Sequence, residues 1–457
     1  MVLEMKKQLF GTDGIRGVAG QYPLDDKTVY AAGLALARFI RESAEGPSAE
    51  TPEVVVGMDT RESSMPLARR LAAGLEKGGV RARCAGVITT AGVAYLTARQ
   101  GFACGVMISA SHNSFQDNGI KVFSPTGFKL PDDQEAQVEQ IIFQELENLG
   151  EPSELPLETE PVLAQDYLRH LLSVDGAGNG FGPIKLIVDC ANGAASKLAA
   201  QLFQELGTSA EIVCCEPDGR NINQNCGSLH MEELQKQVVE QSAELGVAFD
   251  GDADRALFVA EDGSIVDGDA ILLMAAEHFA QANRLTNNLV VTTIMANMGL
   301  EKALEEKGLR MVRTPVGDKY VLEEMVRSGA ALGGEQSGHI IFREYATTGD
   351  GLLTARMILR IMAESKQPLS ALKNGLKVFP QKLKNIRVKH KRPIEEVPAL
   401  RDAVAQSEKE LGQRGRVIVR YSGTEPLVRI MVEAEEMPLV DEHIKRLAGI
   451  FQAQLGA

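Results

Sequence analysis

The chain has 457 residues, 62 acidic and 48 basic side chains, and a formal net charge of −14. That length exceeds what one hydrophobic core supports, so several domains are expected. The acidic balance excludes the broad basic surface by which nucleic acid or an anionic membrane is normally held, and leaves a small-molecule role, with local cations holding any anionic substrate. The six cysteines (Cys84, Cys104, Cys190, Cys214, Cys215, Cys226) form no C-x-x-C pair and sit mostly in apolar surroundings, which predicts reduced, packed thiols. The segment MVLEMKKQLFGTDG has no signal-peptide h-region and no stretch approaches a membrane span, so a cytoplasmic location is expected.

Lys7 to Phe10 reads as a short strand that breaks into GTDGIRG, Gly11 to Gly17, where the glycines open the backbone to a ligand and Arg16 supplies charge. A helix is predicted from Asp26 to about Arg41. An apolar strand, a small or polar turn, an amphipathic helix, a glycine and a second strand then occur three times, starting at Val54, Leu186 and Leu289. Leucines four apart mark each helix face (Leu67, Leu71, Leu75; Leu198, Leu202, Leu206; Leu300, Leu304), and Gly78, Gly207 and Gly308 fall where C-caps belong. Between the first two copies, the apolar run from Val106 enters a loop offering Ser109, Ser111 and His112, followed by Asn118, Gly119 and Lys121. A phosphorylatable nucleophile needs such a setting, but on these residues alone a polar turn between two core strands is the better reading.

The acidic, proline-rich run from Asn148 to Pro161 reads as a linker. The expected fold class is α/β: three similar α/β domains with mixed sheets, over 1–155, 156–260 and 261–380, and a smaller C-terminal α+β domain over 381–457, around a central cleft. The last domain should contain a helix around Val397 to Leu411.

Three further loops carry chemistry. In FDGDADRALFVA, Asp250, Asp252 and Asp254 recur at a spacing of two, which on an extended loop puts the carboxylates on one side, where their repulsion calls for a hard divalent cation. Oxygen-only ligation favours Mg²⁺ over zinc, and Arg255 at the place of the obligatory glycine rules out an EF-hand, although Glu261 falls at its twelfth position. In GGEQSGHI, Glu335, Ser337 and His339 alternate between glycines, a pattern suited to the vicinal hydroxyls of a sugar. In RYSGTEPLVR, Arg420 to Arg429, a guanidinium, the hydroxyls of Ser422 and Thr424 and the backbone N–H of Gly423 form a candidate phosphate cradle, with a hairpin turn as the alternative.

The ordered series GTDGIRG, ISASHN with DNGIK, DGDADR, GGEQSGH and RYSGTEP resembles the α-D-phosphohexomutase superfamily over nearly the whole chain. Its wording is most similar to the bacterial members that act on hexosamine phosphates. The resemblance implies an intramolecular phosphotransferase that interconverts glucosamine 6-phosphate and glucosamine 1-phosphate, on the way to UDP-N-acetylglucosamine, with a sugar bisphosphate as primer. It assigns Ser111 as the phosphoserine, and Asp250, Asp252 and Asp254 as ligands of Mg²⁺ together with an oxygen of that phosphoserine. It further implies that Arg16, His112, Lys121, Arg255 and His339 surround the phosphoryl group in transfer, that Glu335 and Ser337 contact sugar hydroxyls, and that Arg420, Ser422, Gly423, Thr424 and Arg429 hold the other phosphate. Lys121 and His339 both remain open as the proton shuttle. Glucose or mannose phosphate as substrate, a metal-dependent sugar phosphatase and a non-catalytic sensor are the alternatives, and a monomer and a homodimer are both open. One departure stands out: Ser114 occupies the place of the proline that usually follows SHN, which puts the stiffness of that loop in question.

Overall fold

The structure, a computed structural model, describes residues 7–11, 13–43, 51–174, 181–422 and 426–456. Two compact units divide the chain, one of residues 1–295 with 309–375, the other of 296–308 with 376–457. Among the described residues the strands form four sheets, three in the first unit and one in the second.

Strands β1 (Phe10–Gly11), β2 (Gly14–Val18), β3 (Glu53–Met58), β4 (Arg81–Val87), β5 (Cys104–Ile108) and β6 (Asp117–Phe123) make the first sheet, in the order β1-β2-β6-β5-β3-β4. Helices α1 (Asp26–Ser43), α2 (Ser64–Lys77), α3 (Thr90–Arg99) and α4 (Asp132–Glu147) alternate with them. The second sheet contains β7 (Lys185–Asp189), β8 (Ser209–Val213), β9 (Leu245–Phe249), β10 (Ala256–Ala260) and β11 (Ile265–Val266), with α5 (Pro161–Ser173), α6 (Ser196–Glu205) and α7 (Glu232–Glu240). The third contains β12 (Leu289–Thr293), β13 (Arg310–Thr314), β14 (Leu332–Gly334) and β15 (Ile340–Phe342). Its segment of chain carries α8 (Gly268–Gln281), α9 (Met298–Glu306), α10 (Asp318–Ser328), α11 (Gly351–Ser365) and α12 (Leu369–Lys373).

One plan is used three times. The expected strand-helix-strand copies are β3-α2-β4, β7-α6-β8 and β12-α9-β13, each a parallel pair. A third parallel strand lies on the other side of the leading one: β5, β9 and β14. The chain then turns back antiparallel into β6, β10 and β15. The central strands are covered on both faces, which explains why Val54 to Val56, Leu186 to Val188 and Val290 to Val291 are continuous apolar runs and fully or almost fully buried. Because the helix faces follow the 3.6-residue period, Leu67, Leu71, Leu75, Leu198, Leu202, Leu300 and Leu304 are all buried.

The consequence for function is positional. The serine loop joins β5 to β6, the aspartate loop joins β9 to β10, and the Glu335 to His339 loop joins β14 to β15. All three therefore leave the carboxyl end of the corresponding parallel strand, the end of an α/β sheet where ligands bind.

The fourth sheet, β16 (Gln381–Arg387), β17 (Gly415–Tyr421) and β18 (Leu427–Ala434), is antiparallel in the order β16-β18-β17. Helices α13 (Pro398–Leu411) and α14 (Met437–Leu455) close its core around Leu400, Leu411, Val428, Ile430, Leu447 and Phe451. Helix α9 is bound into this unit: the Met298 N–H donates to Glu433 Oε1 at 2.7 Å, and Lys302 pairs with Glu435 at 2.7 Å.

Two local expectations differ from the structure. Lys7 to Leu9 do not extend a strand, because the N–H groups of Gln8, Leu9 and Phe10 donate to the Glu139 carboxylate at 2.7, 2.7 and 3.1 Å. Gly78, by contrast, is the C-cap of α2 as expected, at φ −80°, and its neighbour Gly79 takes the left-handed turn at +81°. The acidic run before α5 is not a free spacer: Leu155 and Leu157 pack on the first core, and Thr159 bridges to Cys84 of β4.

Glu139 thus anchors the segment that leads into GTDGIRG. Glu139→Ala leaves three donors without their acceptor and is expected to cost about 2–3 kcal/mol in urea unfolding, with faster amide exchange at Leu9 and Phe10. Unchanged exchange at those two amides would contradict this anchoring.

Candidate active site

Ser111 follows β5 through Ser109 and Ala110 and adopts a left-handed φ of +53°. A non-glycine residue holds that conformation only where its surroundings enforce it. Here the Ser111 N–H donates to Ser109 Oγ at 2.9 Å, while the Ser111 carbonyl accepts from Arg61 Nη2 at 3.1 Å and Asn223 Nδ2 at 2.9 Å. The same two side chains grip the Asn113 carbonyl at 2.7 and 2.9 Å. Arg61 is in turn paired with the buried Asp59, which also accepts from Ser64 Oγ at 2.8 Å. Ser114 is exposed, and the clamp on the Ser111 and Asn113 carbonyls holds the loop immediately before it.

The enforced backbone turns the Ser111 hydroxyl toward the aspartate loop, where it donates to Asp250 Oδ2 at 2.6 Å. Gly251 permits the approach, since a Cβ there would stand 2.5 Å from the Ser111 carbonyl oxygen. Asp250, Asp252 and Asp254 are at most 4% exposed, with one oxygen of each within 4.8 Å of the others. Their convergence does not come from an extended pleat. The loop is a turn with Ala253 at φ +54°, and it is this left-handed residue that folds the carboxylates together.

Three buried carboxylates in contact cannot all keep ordinary acidities. Burial, then Asp254 and Asp252, push Asp250 well up; burial also acts on Asp254, but Lys121, His339 and Arg255 hold it at about 2. Lys121, on β6, is 1% exposed and donates to Asp252 Oδ2 at 2.8 Å and Asp254 Oδ2 at 3.2 Å, with Asp13 Oδ2 at 3.3 Å. Burial works against its charge, and the three carboxylates more than offset this, so the ammonium stays well above its ordinary range. Asp252 Oδ1 and Asp254 Oδ1 are buried with no hydrogen-bond partner among the described residues. Two orphaned carboxylate oxygens beside a serine hydroxyl, with no nitrogen or sulfur donor in the set, fit a hard, oxygen-ligated cation such as Mg²⁺.

His112 and Arg255 form the exposed side of this group. Arg255 Nη1 lies 2.9 Å from His112 Nδ1, which makes Nδ1 the acceptor and puts the imidazole proton on Nε2. Burial, then Arg255 and Arg16, lower the His112 pKa to about 4, so the ring is neutral at physiological pH. Arg16, opposite Gly119 across the β2-β6 pair, donates to the Ala110 carbonyl at 3.3 Å and pairs with Asp13.

On the third loop, His339 is 2% exposed, accepts from the Gly349 N–H at 3.2 Å and lies 3.5 Å from Asp318 Oδ2. Its Nδ1 has no hydrogen-bond partner among the described residues. Glu335 Oε1 accepts from the Gly317 N–H at 3.1 Å, Ser337 is exposed, and Gln336 reaches Asp267 at 3.3 Å. Glu261, the twelfth position of the rejected EF-hand, instead binds Ser370 at the start of α12.

In the second unit, Arg420 and Arg429 face each other across β17 and β18. Burial and Arg429 both act against the Arg420 charge, a strain that an anion would relieve. Lys391 Nζ donates to the Ser422 carbonyl at 2.6 Å. Gly423 and Thr424 lie outside the described residues.

Little in the amino-acid order marks the supporting charges. Lys129 bridges Asp13 at 2.5 Å and Asp318 at 2.6 Å, so that a chain of alternating charge runs from Lys121 through Asp13 and Lys129 to Asp318, which lies against His339. Asp59, Arg61 and Asn223 were equally silent. The one available signal was MDTRESS directly after a buried strand, where a charged pair has no reason to follow unless it is satisfied internally.

Three sheets on one plan, each delivering a polar loop from the same strand junction, with a serine against an aspartate triad, define the phosphohexomutase class. Models of four phosphoglucomutase/phosphomannomutase domains match the chain: α/β/α domain I over 7–149, domain II over 165–263, domain III over 267–379 and the C-terminal domain over 383–449. The chain belongs to the phosphoglucomutase/phosphomannomutase family. It is 51% identical to a phosphoglucosamine mutase of Solibacter usitatus (strain Ellin6076), over 99% of this chain and 100% of that protein. Its fold matches a solved phosphoglucomutase/phosphomannomutase family protein from Burkholderia thailandensis with TM-score 0.80 and 25% identity, covering 98% of this chain and 99% of the other. It also matches Aspergillus fumigatus N-acetylphosphoglucosamine mutase, solved in complex with GlcNAc-6P and magnesium, with TM-score 0.64 and 19% identity, covering 98% and 96% of the two chains.

The lowered pKa of His112 is open to direct measurement. Histidine-resolved NMR titration should find its ring neutral down to nearly pH 4, and Arg255→Ala, by removing a facing cation, should move its midpoint upward. A midpoint that stays in place or falls would remove Arg255 as a cause.

Proposed function

We propose that this chain is an enzyme that interconverts glucosamine 6-phosphate and glucosamine 1-phosphate through a phosphoserine at Ser111 and a sugar bisphosphate intermediate. The observation that carries it is the Ser111 hydroxyl, held in a left-handed backbone and directed 2.6 Å onto Asp250 at the mouth of the triad. The choice of a hexosamine rests on the 51% identity to a phosphoglucosamine mutase over the full chain.

Phospho-Ser111 passes its phosphoryl group to the free hydroxyl of the sugar phosphate, the bisphosphate reorients, and the other phosphoryl group returns to Ser111. Serine is a poor nucleophile and a poor leaving group, so neighbouring residues must place charge where it develops. Mg²⁺, held by Asp250, Asp252, Asp254 and an oxygen of the phosphoserine, would neutralise charge on the transferring group. Arg16 and Arg255 flank that group, while neutral His112 keeps its Nε2–H available as a donor. Lys121, with its ammonium shared among three carboxylates, supplies fixed positive charge. Lys121 and His339 are the two groups placed to handle the proton of the sugar hydroxyl; His339 Nε2 accepts from the Gly349 N–H, which leaves the ring proton on Nδ1, where it has no partner among the described residues. Glu335 and Ser337 orient the sugar, and Arg420, Ser422, Gly423, Thr424 and Arg429 hold the phosphate not in transfer. A cytoplasmic setting suits this activity, whose product leads to UDP-N-acetylglucosamine.

Purified protein with glucosamine 6-phosphate, Mg²⁺ and a sugar bisphosphate primer should form glucosamine 1-phosphate. Ser111→Ala should lose at least about 10³-fold in turnover. A kcat/KM higher for glucose or mannose phosphate than for glucosamine phosphate would refute the substrate, and release of inorganic phosphate matching turnover would make the enzyme a phosphatase. Peptide mass spectrometry should find the phosphate on Ser111; Ser109 or Ser114 carrying it would overturn the nucleophile.

Asp252→Asn should weaken the metal dependence. The Mg²⁺ concentration for half-maximal activity is expected to rise at least tenfold, and an unchanged value would exclude Asp252 as a ligand.

A further inference from the structure

A second cluster of donor groups lies in the second domain and has no part in the chemistry above. Asp189 ends β7, Cys214 follows β8, and Cys226 precedes the short turn Gly227–Leu229. The Sγ atoms of the two cysteines and a carboxylate oxygen of Asp189 lie within 4.8 Å of one another. Asp189 is committed to holding the loop ends, accepting from the N–H groups of Ala191 and Gly227 at 2.8 Å each. Tetrahedral structural zinc takes four protein donors, and this cluster offers three, one of them already occupied in this way. What remains is a pair of thiols on a rigid frame: the Asn192 N–H donates to the Cys214 carbonyl at 2.6 Å, and Asn192 Nδ2 reaches Cys226 Sγ at 3.8 Å.

Cys214 is half-buried and held at a left-handed φ of +46°, whereas Cys226 is 4% exposed. One thiol is therefore open to a small oxidant and the other is shielded behind it. The facing Cys226 side chain lowers the Cys214 pKa, which favours the thiolate at the accessible member.

The segment between them reaches the serine loop. The Gly219 carbonyl accepts from the Glu62 N–H at 2.9 Å, Arg220 pairs with Glu62 at 2.8 Å, and Asn223 grips the Ser111 and Asn113 carbonyls. A bond between the two sulfurs would close this segment into a ring, drawing its ends from within 4.8 Å to about 2 Å and moving Cys226, three residues from Asn223.

We propose that Cys214 and Cys226 are a peroxide-reactive dithiol whose reversible disulfide displaces the Asn223 clamp and slows turnover at Ser111. The Cys214 thiolate attacks one oxygen of hydrogen peroxide, the O–O bond breaks, and the departing hydroxide takes a proton from solvent, so that a sulfenic acid and one water result. The Cys226 sulfur then attacks that sulfenic sulfur, the S–S bond forms, and the hydroxyl leaves as a second water with the Cys226 proton. Two electrons pass from the thiols to the peroxide, and an external dithiol reverses the step.

The activity effect rests on the mutase assignment, whereas the disulfide does not. Wild-type protein is treated with hydrogen peroxide, its remaining thiols are alkylated after unfolding, and non-reduced peptides are analysed by mass spectrometry. A Cys214 to Cys226 link with the other four cysteines alkylated is expected. Alkylation of both residues, a link through Cys190 or Cys215, or one zinc ion per chain protecting both thiols would overturn the proposal. In the mutase assay, peroxide should lower turnover at least threefold, dithiothreitol should restore it, and Cys214→Ser and Cys226→Ser should each be resistant. A link that forms without changing turnover would disprove the coupling to Ser111, and failure of the substrate assignment would leave the peptide result standing.

Discussion

The structure depends on one electrostatic constraint: three carboxylates are buried side by side against a serine hydroxyl. Such a group is costly unless every charge has a counterpart, and the surrounding architecture supplies them. Lys121 enters from β6, Arg255 from the same turn, and Asp13, Lys129 and Asp318 extend the alternation toward His339. Two carboxylate oxygens are still left over, and they are the ones a divalent cation would take.

Geometry of that quality requires backbone in conformations that side chains avoid. Both key turns contain a left-handed non-glycine residue, Ser111 in one and Ala253 in the other, and both are stabilised from outside their own loop. The serine turn is gripped by Arg61 and Asn223, and the aspartate turn is met by Gly351, whose N–H donates to the Ala253 carbonyl at 3.0 Å. The two turns also need each other, because only glycine at 251 lets them approach. The three-fold repetition of the sheet plan makes this economical: each copy ends a parallel strand at an equivalent place, and a polar loop set there can meet the loops of the other copies.

Much of this was legible in the amino-acid order. Leucines four apart and a following glycine marked the repeated strand-helix-strand unit, because helix burial obeys a fixed period. The aspartate spacing pointed to a cation, because like charges that close need one. The supporting residues were not legible. Asp59, Arg61, Asn223 and Lys129 are ordinary polar residues in sequence, distant from the residues they serve, and nothing local distinguishes a buried ion pair from a solvated turn. The carboxylates also converge by a different route from the one their spacing suggested, since a turn at Ala253 and not strand alternation brings them together.

The chain by itself determined the repeated unit, the order of the chemistry-bearing loops and the residue types within them, since these follow from periodicity and from the chemistry of single side chains. Only the tertiary structure decided that the three loops of the first unit leave equivalent strand ends, that Ser111 rather than Ser109 faces the triad, and that the Ser109 hydroxyl supports it by accepting from the Ser111 N–H. It also decided the partnership of Cys214 with Cys226, which no spacing rule marks. These are relations between residues far apart in the chain, and they exist only once burial has removed water as an alternative partner and forced each polar group to find another.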